Sequence, residues 1–159
     1  MLGKLLPCYL LSAGQGIFLL VAGRLLFGMR WGPDAWTLPT QAGWLLLVVA
    51  CTALAAMGLA LLVAAVARSE VQVALFGAVP VLVLALIGGC VLPREMMPEQ
   101  TQKFSLLTPQ GGALDAYREL LNASAGYQPN LSIVLEACGV LGAFGMGFLG
   151  LAWGLLRLE

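Results

Sequence analysis

The sequence contains no histidine, and this absence removes several kinds of chemistry at once. Histidine is the commonest metal ligand, the usual proton carrier near neutral pH and the general base of hydrolytic triads. The chain also lacks a Gly-x-x-x-x-Gly-Lys-Ser/Thr sequence, the loop that cradles nucleotide phosphates. The sequence therefore predicts no enzyme activity, no metal site, no cofactor and no ATP hydrolysis by this chain.

Charged residues are also scarce. They make up 10% of the 159 residues, with 8 basic and 8 acidic side chains and a formal net charge of zero. A soluble domain carries roughly a quarter charged residues, and a nucleic-acid-binding surface needs an excess of basic ones. Apolar residues reach 60% of the chain. The composition thus excludes a nucleic-acid partner and indicates an integral membrane protein in contact with membrane lipid.

Four apolar runs are each long enough to cross a bilayer core of about 30 Å at about 1.5 Å per helical residue. They cover residues 5–27, 43–67, 71–91 and 131–156. We predict an all-α integral membrane protein in which these runs form four transmembrane helices. Residues 1–159 then form a single transmembrane domain.

The segment between the third and fourth runs, residues 92–130, is predicted to form an outer hairpin. Pro93, Pro98 and Pro109 each disfavour helix at the preceding residue, so they divide the segment into short helices over 99–107 and 113–121. Lipid cannot satisfy exposed backbone groups. We therefore expect a re-entrant or amphipathic helical hairpin packed on the outer ends of the spans.

Three polar side chains in the first run share one helical face, because Tyr9, Ser12 and Gln15 recur at three-residue spacing. Polar groups are costly inside a membrane unless they face protein or water. This face is either a packing surface against another helix or part of the lining of a polar pathway. The sequence leaves both interpretations open.

Two charged residues lie inside the predicted spans at similar depth, Arg24 in the first run and Glu136 in the fourth. An ion pair between them is geometrically allowed, and pairing lowers the cost of a charge within the membrane. The alternative is that each side chain extends to the nearby interface alone.

Small residues at four-residue spacing predict where helices pack closely, because they let backbones approach within the membrane. The last run contains two such pairs and the second contains an alanine ridge. The residues are Ala143, Gly147, Gly150, Gly154, Ala56, Ala60 and Ala64.

Several short motifs, taken in order along the chain, resemble those of type-2 ABC transporter permeases. Residues 2–4 resemble the start of the family's third span, and residues 67–72 resemble the turn between its fourth and fifth spans. The most specific likeness is to the family's Gly…Pro-x-Glu-x-Met-Pro…Pro…Ala-Tyr pattern across the outer hairpin. It is carried by Gly88, Gly89, Pro93, Glu95, Met97, Pro98, Pro109, Ala116 and Tyr117.

The resemblance implies a membrane-spanning permease component of an ATP-driven exporter. It implies a separate ATP-binding subunit as partner, and an export route for a hydrophobic or amphipathic substrate. It also implies a bacterial cytoplasmic (inner) membrane location with both termini in the cytoplasm.

The resemblance covers the C-terminal membrane portion of a full permease. We therefore expect this chain to be part of a larger permease, completed by a second permease chain or by a missing N-terminal half that carries the coupling helix. The alternative interpretation is a non-transport membrane protein, such as an assembly or regulatory subunit, that uses the same packing surfaces.

Overall fold

The structure, a computed structural model, describes residues 2–29, 31, 38–91, 96–105, 108–122 and 128–157. These residues form α1 (Leu2–Phe27), α2 (Leu38–Val66), α3 (Glu70–Ile87), α4 (Glu99–Ser105), α5 (Pro109–Leu121) and α6 (Leu131–Arg157). Four of them, α1, α2, α3 and α6, are long and apolar enough to cross a membrane. The predicted all-α fold with four membrane-spanning helices is confirmed, with helix ends that shift by a few residues.

A pair of glycines sets the C-terminal end of α3. The third apolar run continues to Val91, but α3 ends at Ile87. Gly89 has a φ of +83°, and the Cys90 N–H donates to the Ala85 carbonyl at 3.0 Å. This six-to-one bond after a glycine of positive φ is the Schellman arrangement, which closes a helix that hydropathy alone would continue.

The helix α5 begins at a threonine–proline pair that sequence reading treated as a break. Thr108 caps the helix, since its hydroxyl accepts from the Gly111 N–H at 3.1 Å and donates to the Ser105 carbonyl at 2.8 Å. Pro109 follows as the first helical residue, where its missing N–H costs no hydrogen bond. The helix therefore starts four residues before the predicted Ala113.

The core lies between α2 and α6, with α5 packed against both. The buried residues of α6 recur every three or four positions, which places them on one helical face. The cluster consists of Leu45, Val48, Ala116, Leu120, Val134, Ala137 and Cys138.

The backbones of α2 and α6 touch where Gly58 crosses Gly145. A Cβ on Gly58 would lie 2.7 Å from the Gly145 carbonyl oxygen, and a Cβ on Gly145 would lie 2.9 Å from Leu54 Cγ. Small residues therefore do allow two helices to pack closely, as expected, but the pair in contact is Gly58 and Gly145 and not a pair at the predicted four-residue spacing. The residues predicted to pack are exposed instead: Ala56, Ala60, Ala64, Ala143, Gly147, Gly150 and Gly154.

The remaining spans attach to this pair in different ways. Helix α1 packs on α2, where Gly16 approaches Val49 so closely that a Cβ would lie 3.0 Å from a Val49 methyl. Helix α3 has no buried residue. It meets α2 through the short turn at 67–69, and it meets α5 where Gly88 lies beside Thr108.

We predict that Gly145→Ala destabilises the chain by about 1–3 kcal/mol, because the new methyl group overlaps Leu54 and forces α2 and α6 apart. Gly147→Ala is the matched control, since a Cβ there has no neighbour within 4 Å. Thermal unfolding in detergent measures both. Equal unfolding temperatures for the two variants would contradict the close crossing.

Candidate functional site

An apolar crevice of about 430 Å³ opens between α2 and α3. It exists because α3 meets the bundle near its two ends and packs no side chain into the core between them. The crevice is also lined by α5 and α6, and its volume lies within the range of small-molecule sites. The walls contributed by α2 and α3 include Ala56, Ala60, Val63, Val73, Gly77 and Val81.

The crevice carries little polar chemistry. Thr52 and Gln110 are the polar side chains among its lining residues. The Thr52 hydroxyl lies 2.9 Å from the carbonyls of both Val48 and Val49 in its own helix, so its proton is already used. The Gln110 Oε1 atom is buried and has no hydrogen-bond partner. The site therefore suits an apolar molecule with few polar groups.

The hairpin helix α5 reaches well into the bundle, because Tyr117 contacts Thr52 midway along α2. Their hydroxyl oxygens are 3.4 Å apart, and since the Thr52 proton is used, Tyr117 is the donor. Burial raises the pKa of Tyr117 above its ordinary value. Insertion to this depth favours a re-entrant hairpin over one that lies flat on the surface.

The hairpin motif converges on the junction between α3 and α5. A Cβ on Gly88 would lie 3.0 Å from both Thr108 Oγ1 and the Gly111 nitrogen, so only glycine fits this contact. Pro109 starts α5 in a buried position, and Ala116 is completely buried in the core.

Met97 and Pro98 of the motif lie at the α4 end of the hairpin. Met97 is half-buried, and its carbonyl accepts from the Gln102 side chain at 2.9 Å. Pro98 precedes α4, and its carbonyl accepts from the Gln102 N–H at 3.1 Å. Pro93 and Glu95 lie outside the described residues.

The three residues of the predicted polar face of α1 have different surroundings. Tyr9 donates to the Ala50 carbonyl of α2 at 3.4 Å, Ser12 is half-buried, and Gln15 is exposed. None of the three is among the residues that line the crevice. Tyr9 thus has a packing contact with α2. Whether the face as a whole packs against a helix or lines a polar pathway stays a prediction.

The structure does not bring Arg24 and Glu136 together. The Arg24 guanidinium lies 4.8 Å from the centre of the Trp31 ring, and Glu136 lies on the exposed side of α6. The Trp31 ring in turn packs against the core cluster. A cation over an indole face is favourable, so Trp31 supplies a partner that charge-based reasoning missed.

We predict that Arg24 is coupled energetically to Trp31 and not to Glu136. A double-mutant cycle of Arg24→Leu with Trp31→Leu should give a coupling of about 0.5–1 kcal/mol in detergent unfolding. The matched cycle with Glu136→Leu should give a coupling near zero. A larger coupling to Glu136 than to Trp31 would restore the ion pair as the relevant contact.

Comparison with known proteins decides the family. The sequence model of the ABC-2 type transporter family matches residues 1–122, which is most of the chain. The chain belongs to the ABC-2 type transporter family. The resemblance to type-2 ABC transporter permeases is confirmed by this match, and the chain is an integral membrane protein. Membrane domains of this family are non-catalytic transport components.

A curated relative supports the same assignment. The linearmycin resistance permease protein LnrN of Bacillus subtilis (strain 168) is 28% identical over 142 residues. The alignment covers 89% of this chain and 34% of the relative, so the chain spans about a third of the relative's length. No solved structure matches the chain.

Proposed function

We propose that this chain is a membrane-spanning permease component of an ATP-driven exporter and forms part of the route for a hydrophobic or amphipathic molecule. The observation that carries the proposal is the apolar crevice between α2 and α3 in a membrane domain of the ABC-2 type transporter family. A route for apolar molecules needs walls without charge, and the described residues that line this crevice include no charged side chain.

The loose packing of α3 supports a transport role. Because α3 has no buried residue, changing its distance from α2 breaks few side-chain contacts. The crossing of α2 and α6 is fixed by direct backbone contact and resists the same movement. In this proposal α3 moves away from and toward the rigid pair of α2 and α6, which opens and closes the crevice.

Energy for export comes from partners in this proposal. The chain has no phosphate-binding loop, so a separate ATP-binding subunit hydrolyses ATP. Because the chain spans about a third of its relative, a second permease chain or an N-terminal half supplies the rest of the route. The relative is named a linearmycin resistance permease protein, and this chain's own substrate is proposed only as hydrophobic or amphipathic.

We further propose a bacterial cytoplasmic membrane location, with both termini in the cytoplasm and the hairpin on the outer side. In a variant that lacks the four native cysteines, Gln100→Cys should react with an impermeant thiol reagent in intact cells. Arg68→Cys, in the turn between α2 and α3, should react only after the cells are opened. Both positions are exposed. The reverse labelling pattern would invert the proposed topology.

Filling the crevice tests the export proposal. In a deletion strain of the source bacterium, the unaltered chain should restore efflux of lipophilic compounds, and Gly77→Phe should abolish most of that efflux. Gly77 lines the crevice and a Cβ there has no neighbour within 4 Å, so the variant has room to fold. Gly150→Phe is the control, because Gly150 is equally unobstructed but lies on the exposed side of α6.

The efflux assay also separates the two functional classes. Full efflux with Gly77→Phe present in the membrane would contradict a route through the crevice. If deletion of the chain leaves efflux intact but changes the amount of another membrane protein, the chain is an assembly or regulatory subunit instead.

A further inference from the structure

Two cysteines meet where α2 packs against α6. Cys138 is a buried member of the core cluster, and the half-buried Cys51 packs against that cluster. Both are free thiols, and the Cys51 side chain is a hydrogen-bonding neighbour of the Cys138 thiol. Neither residue lines the crevice, so the proposed export route makes no use of this pair.

The register of the two helices places these thiols opposite each other. The core cluster draws on the first halves of α2 and α6, and Gly58 crosses Gly145 farther along both helices, so the helices run parallel. Cys51 lies seven residues before Gly58, and Cys138 lies seven residues before Gly145. Seven residues return a side chain to the same helical face within about 20°. The two cysteines therefore face each other about two turns before the close crossing of the glycines.

The surroundings of the two thiols favour a covalent bond between them over a bound metal ion. Among the described residues there is no group of three or more His, Cys, Asp and Glu side chains that could hold a metal ion. The core cluster and the side chains packed against it are uncharged, and a product with a net charge would be costly there. A disulfide is neutral and needs only two thiols on closely approaching backbones.

We propose that Cys51 and Cys138 form an oxidative modification site, at which a neutral peroxide that enters the membrane joins α2 to α6 through a disulfide. The Cys51 sulfur, the more exposed of the two, attacks one peroxide oxygen. The O–O bond breaks, the thiol proton leaves with the other oxygen as water, and Cys51 becomes a sulfenic acid. The Cys138 sulfur then attacks the Cys51 sulfur. The S–S bond forms, the S–O bond breaks, and a second water carries away the Cys138 proton.

The disulfide would tie the two central helices of the bundle together. It would stabilise the chain, because a cross-link between residues far apart in sequence restricts the unfolded state. The first step is slow, because the thiolate is the attacking species and an apolar setting disfavours it. The exposed Cys8 and Cys90 therefore react first, and the test has to remove them.

Peroxide treatment of membranes that contain the Cys8→Ala, Cys90→Ala chain tests the proposal. Digestion without reductant and mass spectrometry should show the Cys51 and Cys138 peptides joined, with the loss of two hydrogen atoms. Thermal unfolding in detergent should then occur several degrees higher than before oxidation, and dithiothreitol should reverse the shift in the same sample. Two free thiols after prolonged exposure, a Cys51 oxidised without a cross-link, or a retained metal ion would overturn the proposal.

A matched control moves one thiol by a single residue. The chain with Cys138→Ala and Gly139→Cys keeps two thiols, but position 139 lies on the exposed side of α6, where a Cβ has no neighbour within 4 Å. This variant should form no cross-link to Cys51 within the chain and show no stabilisation by peroxide. Cross-linking equal to that of the native pair would overturn the facing arrangement.

The proposed function is tested separately by efflux after oxidation. If α2 and α6 move as one body during export, the cross-linked chain should retain the efflux of the reduced chain. Loss of efflux that dithiothreitol restores would refute the rigid pair in the export proposal and leave the modification site standing. Efflux that is independent of the chain would refute the export proposal, and the cross-link would again be unaffected.

Discussion

The backbone contact of α2 and α6 at Gly58 and Gly145 is the constraint on which the rest of the bundle depends. Lipid tails are as apolar as leucine, so helices in a membrane gain little from burying apolar side chains and depend on close packing instead. The two glycines allow that approach, and the core that includes Leu45, Val48 and Val134 lies farther along the same two helices. Helix α5 packs against the pair, and α1 packs on the outer side of α2.

The elements that could be predicted from the sequence are those set by local chemistry. Hydropathy located the four spans, since span length depends only on the thickness of the bilayer. The prolines located the hairpin, although the start of α5 was missed. Thr108-Pro109 is a cap followed by a first-turn proline, and this signal was present in the sequence.

Contacts between elements could not be predicted in the same way. Small-residue spacing marked Gly147 and Gly150, yet Gly145 makes the contact, because the choice depends on which face of α6 meets α2. For Arg24 the sequence allows an ion pair with Glu136 or a side chain that reaches the interface alone, while the structure places its guanidinium over the Trp31 ring. The sequence gives no sign that Gln110 Oε1 lacks a hydrogen-bond partner, because that depends on which groups surround the atom in the fold.

The way in which α3 is attached at its two ends determines how the crevice can change its width. The short turn at 67–69 ties one end of α3 to α2, and the contact of Gly88 with Thr108 joins the other end to α5. A helix attached at both ends, with no buried residue between them, can bend away from α2, but its attachments oppose a shift along its own axis. The width of the crevice can therefore change while the capping hydrogen bonds at both ends of α3 stay intact. Because Gly88 lies directly against Thr108, the first turn of α5 and the end of α3 must move together.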